Sequence, residues 1–186
     1  MILAKEGEKK EYMIAPEGTY QAVCFNVWDL GMQEGEWQGQ KKVQHKIIVG
    51  WEIDEKIPTG EYEGKRFTIY KKYTLSLSDK ASLRKDLESW RGRAFTKDEL
   101  KGFDVEGLVG ANCLLNVIHN KSNEKTYTNI SSIMKLTKGL EKLEPENERV
   151  VPDWIKKIQD KAVSVESQIV EEKNVPNETS DDQPPF

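Results

Sequence analysis

Residues 65–90 read KRFTIYKKYTLSLSDKASLRKDLESW, and their hydrophobic pattern changes period partway along. Up to residue 77 apolar and polar residues largely alternate, which predicts a β-strand over residues 65–77. From Ser78, which can cap a helix, apolar residues recur at the spacing of one helical face. They are Leu83, Leu87 and Trp90. Gly92 is expected to end this helix.

Strands are predicted on both sides of this unit. Residues rich in β-branched and aromatic types predict strands over 18–29, 43–54, 112–119 and 126–136, with a loop over 30–40. A capping box, Thr96-Lys-Asp-Glu99, predicts a short second helix. Three strands, a helix and two strands is the element order of the OB-fold. We therefore predict a mainly β fold: a five-stranded OB-fold Greek-key barrel with a helix between strands 3 and 4, plus a partly disordered acidic C-terminal tail.

The charge is divided unevenly along the chain. Residues 1–140 carry 22 basic and 20 acidic residues, whereas residues 141–186 carry 6 and 12. Residues 41–85 contain 11 basic and 6 acidic residues, so a local positive surface is expected on a chain whose net charge is −4. The sequence predicts a domain over 1–140, a linker with a short amphipathic helix over 141–165, and a disordered acidic tail over 166–186.

Several classes of protein are disfavoured by what the sequence lacks. No apolar run reaches the roughly 18 residues of a membrane span, and the first residues show no apolar signal region, so we expect a soluble cytoplasmic protein without membrane contact. Cys24 and Cys113 lack metal-ligand spacing and are predicted to be core residues. His45 and His119 are isolated. No phosphate-binding loop, nucleophile elbow or metalloprotease motif occurs, so we expect no enzyme, cofactor or metal.

Six short segments, in this order along the chain, carry a resemblance to a known family. They are PEGTYQA at 16–22, DLG at 29–31, WE at 51–52, YTLSL at 73–77, WRGR at 90–93 and LVGANC at 108–113. Over residues 12–136 they resemble the phage-encoded single-stranded DNA-binding proteins of OB type. The resemblance implies a protein that coats and protects single-stranded DNA, independently of its sequence, during replication, recombination and repair. It also implies that the protein is located in the cytoplasm of a host bacterium.

The last six residues carry a second resemblance. Asp181, Asp182, Gln183, Pro184, Pro185 and Phe186 resemble the acidic tip of bacterial single-stranded DNA-binding proteins. Gln183-Pro184 departs from the usual tip, which has an apolar residue followed by one proline. The resemblance implies that Asp181, Asp182, Pro184, Pro185 and Phe186 recruit replication and recombination proteins.

A protein that binds any sequence needs cations for the phosphates and flat rings for the bases. The predicted third strand places Arg66, Tyr70 and Lys72 on one face, which makes them the first-choice site. Six further residues are candidates on the same strand, on the second strand and its preceding loop, and on the fifth strand. They are Trp37, Lys41, Lys42, Lys46, Tyr73 and Tyr127. Trp51 and Trp90 are assigned to the core, and Trp28 to neither group.

Two questions stay open at the level of sequence. The amphipathic segment 152–163 is expected to dock either on the barrel or on a second subunit, which would form a homodimer. An OB-like protein-interaction module, or a recombination mediator that anneals strands, would share these sequence features.

Overall fold

The computed structural model describes residues 13–37, 39–123 and 125–162, without the side chains of residues 36, 37 and 40. Its elements are β1 (Gly18–Trp37), β2 (Gln40–Lys56), β3 (Arg66–Thr74), α1 (Ser82–Arg91), β4 (Asn112–Ser122), β5 (Lys125–Lys135) and α2 (residues 153–162). Two short 3₁₀ turns, Glu99–Lys101 and Glu106–Leu108, lie between α1 and β4. The predicted order of three strands, a helix and two strands is confirmed.

The five strands form one antiparallel sheet in the order β3-β2-β1-β4-β5. Because β4 returns beside β1 after the β1-β2-β3 meander, the first four strands have the order of a Greek key. β3 and β5 are the edges of the sheet, and no strand pairing joins them in the described part of the chain. The prediction of a mainly β fold is confirmed, but the sheet is not closed into a barrel.

Several predicted boundaries were wrong, among them the end of the third strand, which lies at Thr74 rather than at residue 77. Residues 30–37 were expected to form a loop, but they continue β1, because Met32 to Trp37 pair in register with β2 as one long hairpin. Gly39 turns the hairpin with a φ of 77°. Helix α1 begins at Ser82 rather than Ser78, and its N-cap is Ala81. The Thr96–Glu99 capping bonds form as expected, but they close only a 3₁₀ turn.

The main core lies between α1 and one face of the sheet. Leu83, Leu87 and Trp90 of α1 are all buried against it. The indole rings of Trp51 and Trp90 pack with centroids 5.6 Å apart, which confirms both as core residues. Cys24 and Cys113 are buried free thiols in the same core, also as predicted.

The opposite face of β1, β2 and β3, here called the outer face, is covered over part of its area. Phe25, Trp28 and Leu30 of β1 and Ile48 of β2 form a second buried cluster with Ile155 of α2. The alternation in β2 predicted only one buried side, and Ile48 and Glu52 on its other side are buried as well. What covers them is the segment of residues 141–162, which we call the strap.

The strap is attached by hydrogen bonds along most of its length. Leu143 and Asn112 exchange two hydrogen bonds, of 2.8 and 2.9 Å. The Trp28 indole N–H donates to the Val150 carbonyl at 3.1 Å, and the Gln159 amide donates to the Asp29 carbonyl at 2.6 Å. Residues 141–162 therefore pack against the sheet over most of their length. Of the two docking positions left open by the sequence, α2 takes the one on the sheet of its own chain.

Buried Glu52 fixes the middle of the strap. Its carboxylate accepts hydrogen bonds from the backbone N–H groups of Glu146 and Asn147 and from the Asn147 side chain, at 2.7 to 3.1 Å. Arg66 lies beside it, with a guanidinium nitrogen 3.4 Å from a Glu52 oxygen. A buried carboxylate needs such partners, because burial without them is costly.

No helix within the described ranges is long and apolar enough to cross a membrane.

Candidate nucleic-acid interface

Three lysines on neighbouring strands gather at one end of the outer face. Lys42 and Lys46 lie on β2, and Lys72 lies on β3 opposite Ile48. The Lys46 ammonium donates to the Gln44 side chain at 2.8 Å and to the Thr74 hydroxyl at 2.6 Å. None of the three lysines pairs with a carboxylate of another described residue. We call Lys42, Lys46 and Lys72 the lysine cluster.

In the described part of the chain, the lysine cluster gathers three positive charges that no ion pair neutralises. Partial burial lowers the pKa of Lys46, and the positive charges of Lys72 and Lys42 lower it further. Bringing like charges together disfavours the charged form of each, whereas a bound anion would favour it. The cluster is therefore suited to bind a polyanion.

Next to the lysine cluster, four aromatic rings cover the outer face. Phe25 and Trp28 are buried, and their rings lie over Gly50, where a Cβ atom would come within 2.8 Å of Trp28 and 2.9 Å of Phe25. Tyr70 of β3 packs against both, with ring centroids at 6.0 and 5.8 Å. Trp154 of the strap packs edge-on against Tyr70 at 5.3 Å.

Two of these rings remain accessible. Tyr70 is 37% exposed and Trp154 is 43% exposed, so each can offer part of a flat surface to a ligand. Desolvation is the main reason that the pKa of Tyr70 is raised, which keeps its phenol neutral. Trp154 was not predicted as a site residue. The sequence placed Trp154 in the amphipathic segment 152–163, but nothing in the sequence indicated that it contacts Tyr70.

Arg66 is not available in the way that the sequence predicted. Its side chain is only 14% exposed and pairs with Glu52 at 3.4 Å and with Glu146 at 3.2 Å. It also donates to the Glu144 carbonyl at 2.8 Å. The guanidinium of Arg66 is thus already bound by groups of the strap, and we remove Arg66 from the candidate set.

Tyr73 is also removed, because it lies in the main core. Its ring is buried and its hydroxyl donates to the Asp86 carboxylate at 2.7 Å. Burial, together with the negative charge of Asp86, raises the pKa of Tyr73. Tyr73 lies an even number of residues from buried Phe67 and Ile69 along β3, and such residues point to the same face of a strand. This spacing indicated in the sequence that Tyr73 points into the core.

Of the remaining predicted residues, Lys41 and Tyr127 are not part of the lysine cluster. Lys41 is paired with Glu34 at 3.0 Å, and adjacent residues of a strand point to opposite faces, so it does not share the face of Lys42. Tyr127 is exposed on β5, opposite Asn120 of β4. Trp37 ends β1, but its side chain lies outside the described part, as do Asp181, Asp182, Pro184, Pro185 and Phe186.

The structure therefore brings together four of the predicted residues, Lys42, Lys46, Tyr70 and Lys72, and adds Trp154. In the described part of the chain, no group of three or more His, Cys, Asp or Glu side chains is arranged to hold a metal ion. In comparisons with known proteins, the chain matches no family model and no curated protein sequence.

Proposed function

We propose that this protein binds single-stranded DNA without sequence preference, along the outer face of β2 and β3. The observation that carries the proposal is the position of the lysine cluster on the same face as the accessible ring of Tyr70, against which Trp154 packs. Phosphates would contact the lysines, and unpaired bases would stack on the rings. Such a combination is sequence-tolerant, because every base has a flat face and every nucleotide a phosphate.

The geometry favours a single strand over a duplex. Stacking on protein rings requires bases that are not already stacked between neighbouring pairs. The lysine cluster and Tyr70 follow one another along the outer face of two adjacent strands, and Trp154 of the strap packs against Tyr70. A strand lying along this face can place its backbone and its bases on different side chains at the same time.

The strand order supports an OB-type fold as part of this proposal. The OB-fold is a partly open five-stranded Greek-key barrel that binds oligonucleotides on its strand 2–3 face. Here the sheet order β3-β2-β1-β4-β5 contains the Greek key, and four of the five candidate residues lie on β2 and β3. The proposal includes coating and protection of DNA in phage replication and recombination. It also includes recruitment of partner proteins through residues 181–186, which rests on the sequence.

The direct test is a titration of fluorescently labelled oligo-dT, followed by anisotropy at several salt concentrations. The variant Lys42→Gln/Lys46→Gln/Lys72→Gln should bind more weakly than the wild type. The slope of the logarithm of the binding constant against the logarithm of the salt concentration should also be less steep by about 2, because each of the three lost phosphate contacts accounts for about 0.7.

A matched control removes the same charge from other exposed lysines. Lys97→Gln/Lys101→Gln/Lys138→Gln changes three exposed lysines outside β2 and β3 and should keep the wild-type slope. The proposal fails if the wild type does not bind oligo-dT at low salt. It also fails if both triple variants lose affinity equally, because binding would then depend on total charge alone.

A further inference from the structure

A groove of about 790 Å³ opens beside the ring pair. Its walls come from the start of β3, from the β2–β3 loop at residues 57–65, from residues 13–15 and from the strap. Tyr70 and Trp154 both belong to its lining, so the groove adjoins the proposed binding face. Its volume lies within the range of about 300–1,000 Å³ that is typical of ligand pockets.

The groove contains a third accessible ring with a cation beside it. Tyr62 is 43% exposed, and the ammonium nitrogen of Lys65 lies 5.5 Å from the centre of its ring. Half of the exposed large apolar side chains in the described part of the chain line this one groove. They are Met13, Ile14, Tyr62, Tyr70 and Trp154. Apolar surface gathered in this way indicates a binding site.

We propose that the groove is a second base-stacking subsite, in which Tyr62 stacks a base and Lys65 contacts its phosphate. This inference rests on the proposed function. The strand would run from the lysine cluster past Tyr70 and Trp154 and turn over the β3 edge into the groove. Residues 66–72 span about 20 Å at roughly 3.3 Å per residue, so only a strand of several nucleotides reaches both ends.

The choice of a nucleic acid as occupant follows from the chemistry of the lining. An apolar peptide would use Met13 and Ile14, but it would gain little from an exposed lysine poised over a tyrosine ring. Rings with an adjacent cation are the combination that binds a base together with its phosphate. Arg66 also lines the groove, and the strap carboxylate of Glu146 already neutralises it, so Lys65 is the cation that the proposal uses.

Oligonucleotide length separates this subsite from the main face. Single OB-folds bind about 4–16 nucleotides, so dT oligomers of about 4 and about 16 nucleotides sample one end or both. Tyr62→Ala should weaken binding of the longer oligomer by about 5- to 150-fold, the loss expected for one stacked base. It should leave the shorter oligomer unaffected.

Conservative and matched variants complete the test. Tyr62→Phe keeps the ring and should restore the affinity for the long oligomer. Lys65→Gln should flatten the salt slope by about 0.7 for the long oligomer only, while Lys97→Gln should not change it. Thermal unfolding of each variant establishes that it is folded.

The possible failures can be told apart. If the wild type binds neither oligomer, the proposed function itself is wrong. If the lysine-cluster variant weakens both lengths but Tyr62→Ala changes neither, only the groove subsite is wrong, and the groove then has another occupant. Equal loss of both lengths in Tyr62→Ala would also contradict the subsite, because the short oligomer should not need it.

Discussion

Trp154 of the strap meets Tyr70 of β3 edge-on, with ring centroids 5.3 Å apart and planes at 82°. Two segments that are 84 residues apart in the sequence thus supply one exposed pair of rings. The strap both covers the buried Phe25 and Trp28 and adds an accessible ring of its own. It is therefore a wall of the candidate site as well as a cover.

The first prediction concerns this ring pair. Trp154→Ala should weaken oligo-dT binding by about 5- to 150-fold, because a stacked base is worth about 1–3 kcal/mol, and Trp154→Phe should keep most of the affinity. Fluorescence anisotropy measures the effect, with Val151→Ala as an exposed strap control. Tighter binding by Trp154→Ala would show instead that the strap blocks the face and has to leave before DNA binds.

The second prediction concerns the attachment of the strap. Ile155 is fully buried among residues of β1 and β2, so Ile155→Ala should lower the free energy of unfolding by about 2–5 kcal/mol. A chain that ends at residue 140 should lose more and expose the second cluster to hydrophobic dyes. Urea unfolding measures both, and Val151→Ala is again the control. An unchanged urea midpoint in the truncated chain would mean that the strap does not stabilise the sheet.

The alternation of polar and apolar residues predicted the five strands and the helical spacing predicted α1, because the main core is formed by regular strand and helix faces, but neither pattern predicted that the sheet stays open. The same two-residue alternation places Tyr73 on the face of Phe67 and Ile69. A consistent application of the two-residue period would have placed it in the core.

The position of the strap could not be predicted in this way. Arg66 appeared to be a free cation because its partners, Glu144 and Glu146, are about 80 residues away in the sequence. Ile155 likewise finds Phe25 and Ile48 only after the chain has folded back over the sheet. Local patterns predicted that residues 152–163 form a helix, but they did not determine which surface the helix covers.

The third prediction concerns Gly50, over which the rings of Phe25 and Trp28 lie. A Cβ atom at Gly50 would come within 3.0 Å of both Trp28 and Phe25, which are held between the sheet and the strap. Gly50→Ala should therefore lower the free energy of unfolding by about 1–3 kcal/mol through overpacking. Gly107→Ala is the matched control, since nothing lies within 4 Å of its added Cβ, and it should be neutral or slightly stabilising. Equal stability of the two variants in urea would contradict the close packing at Gly50.

The fourth prediction concerns the thiols and alkaline pH. Burial raises the pKa of Cys24 to about 12, and burial also raises that of Cys113. In the folded protein neither thiol should react with an aromatic disulfide reagent at about pH 8, and both should react once the protein is unfolded.

The sign of the pH dependence follows from the same shifts. A folded-state pKa above the unfolded value of about 8.5 means that folding favours the neutral thiol. The contribution to stability is complete below about pH 8.5 and is lost as the pH rises towards 12. The raised pKa of buried Tyr73 also makes stability fall as the pH rises, but only from about pH 10, the ordinary pKa of tyrosine. The loss of stability that begins at lower pH is therefore due to the thiols. Cys24→Ala should reduce that early loss in urea unfolding, and rapid labelling of native Cys24 would contradict its burial.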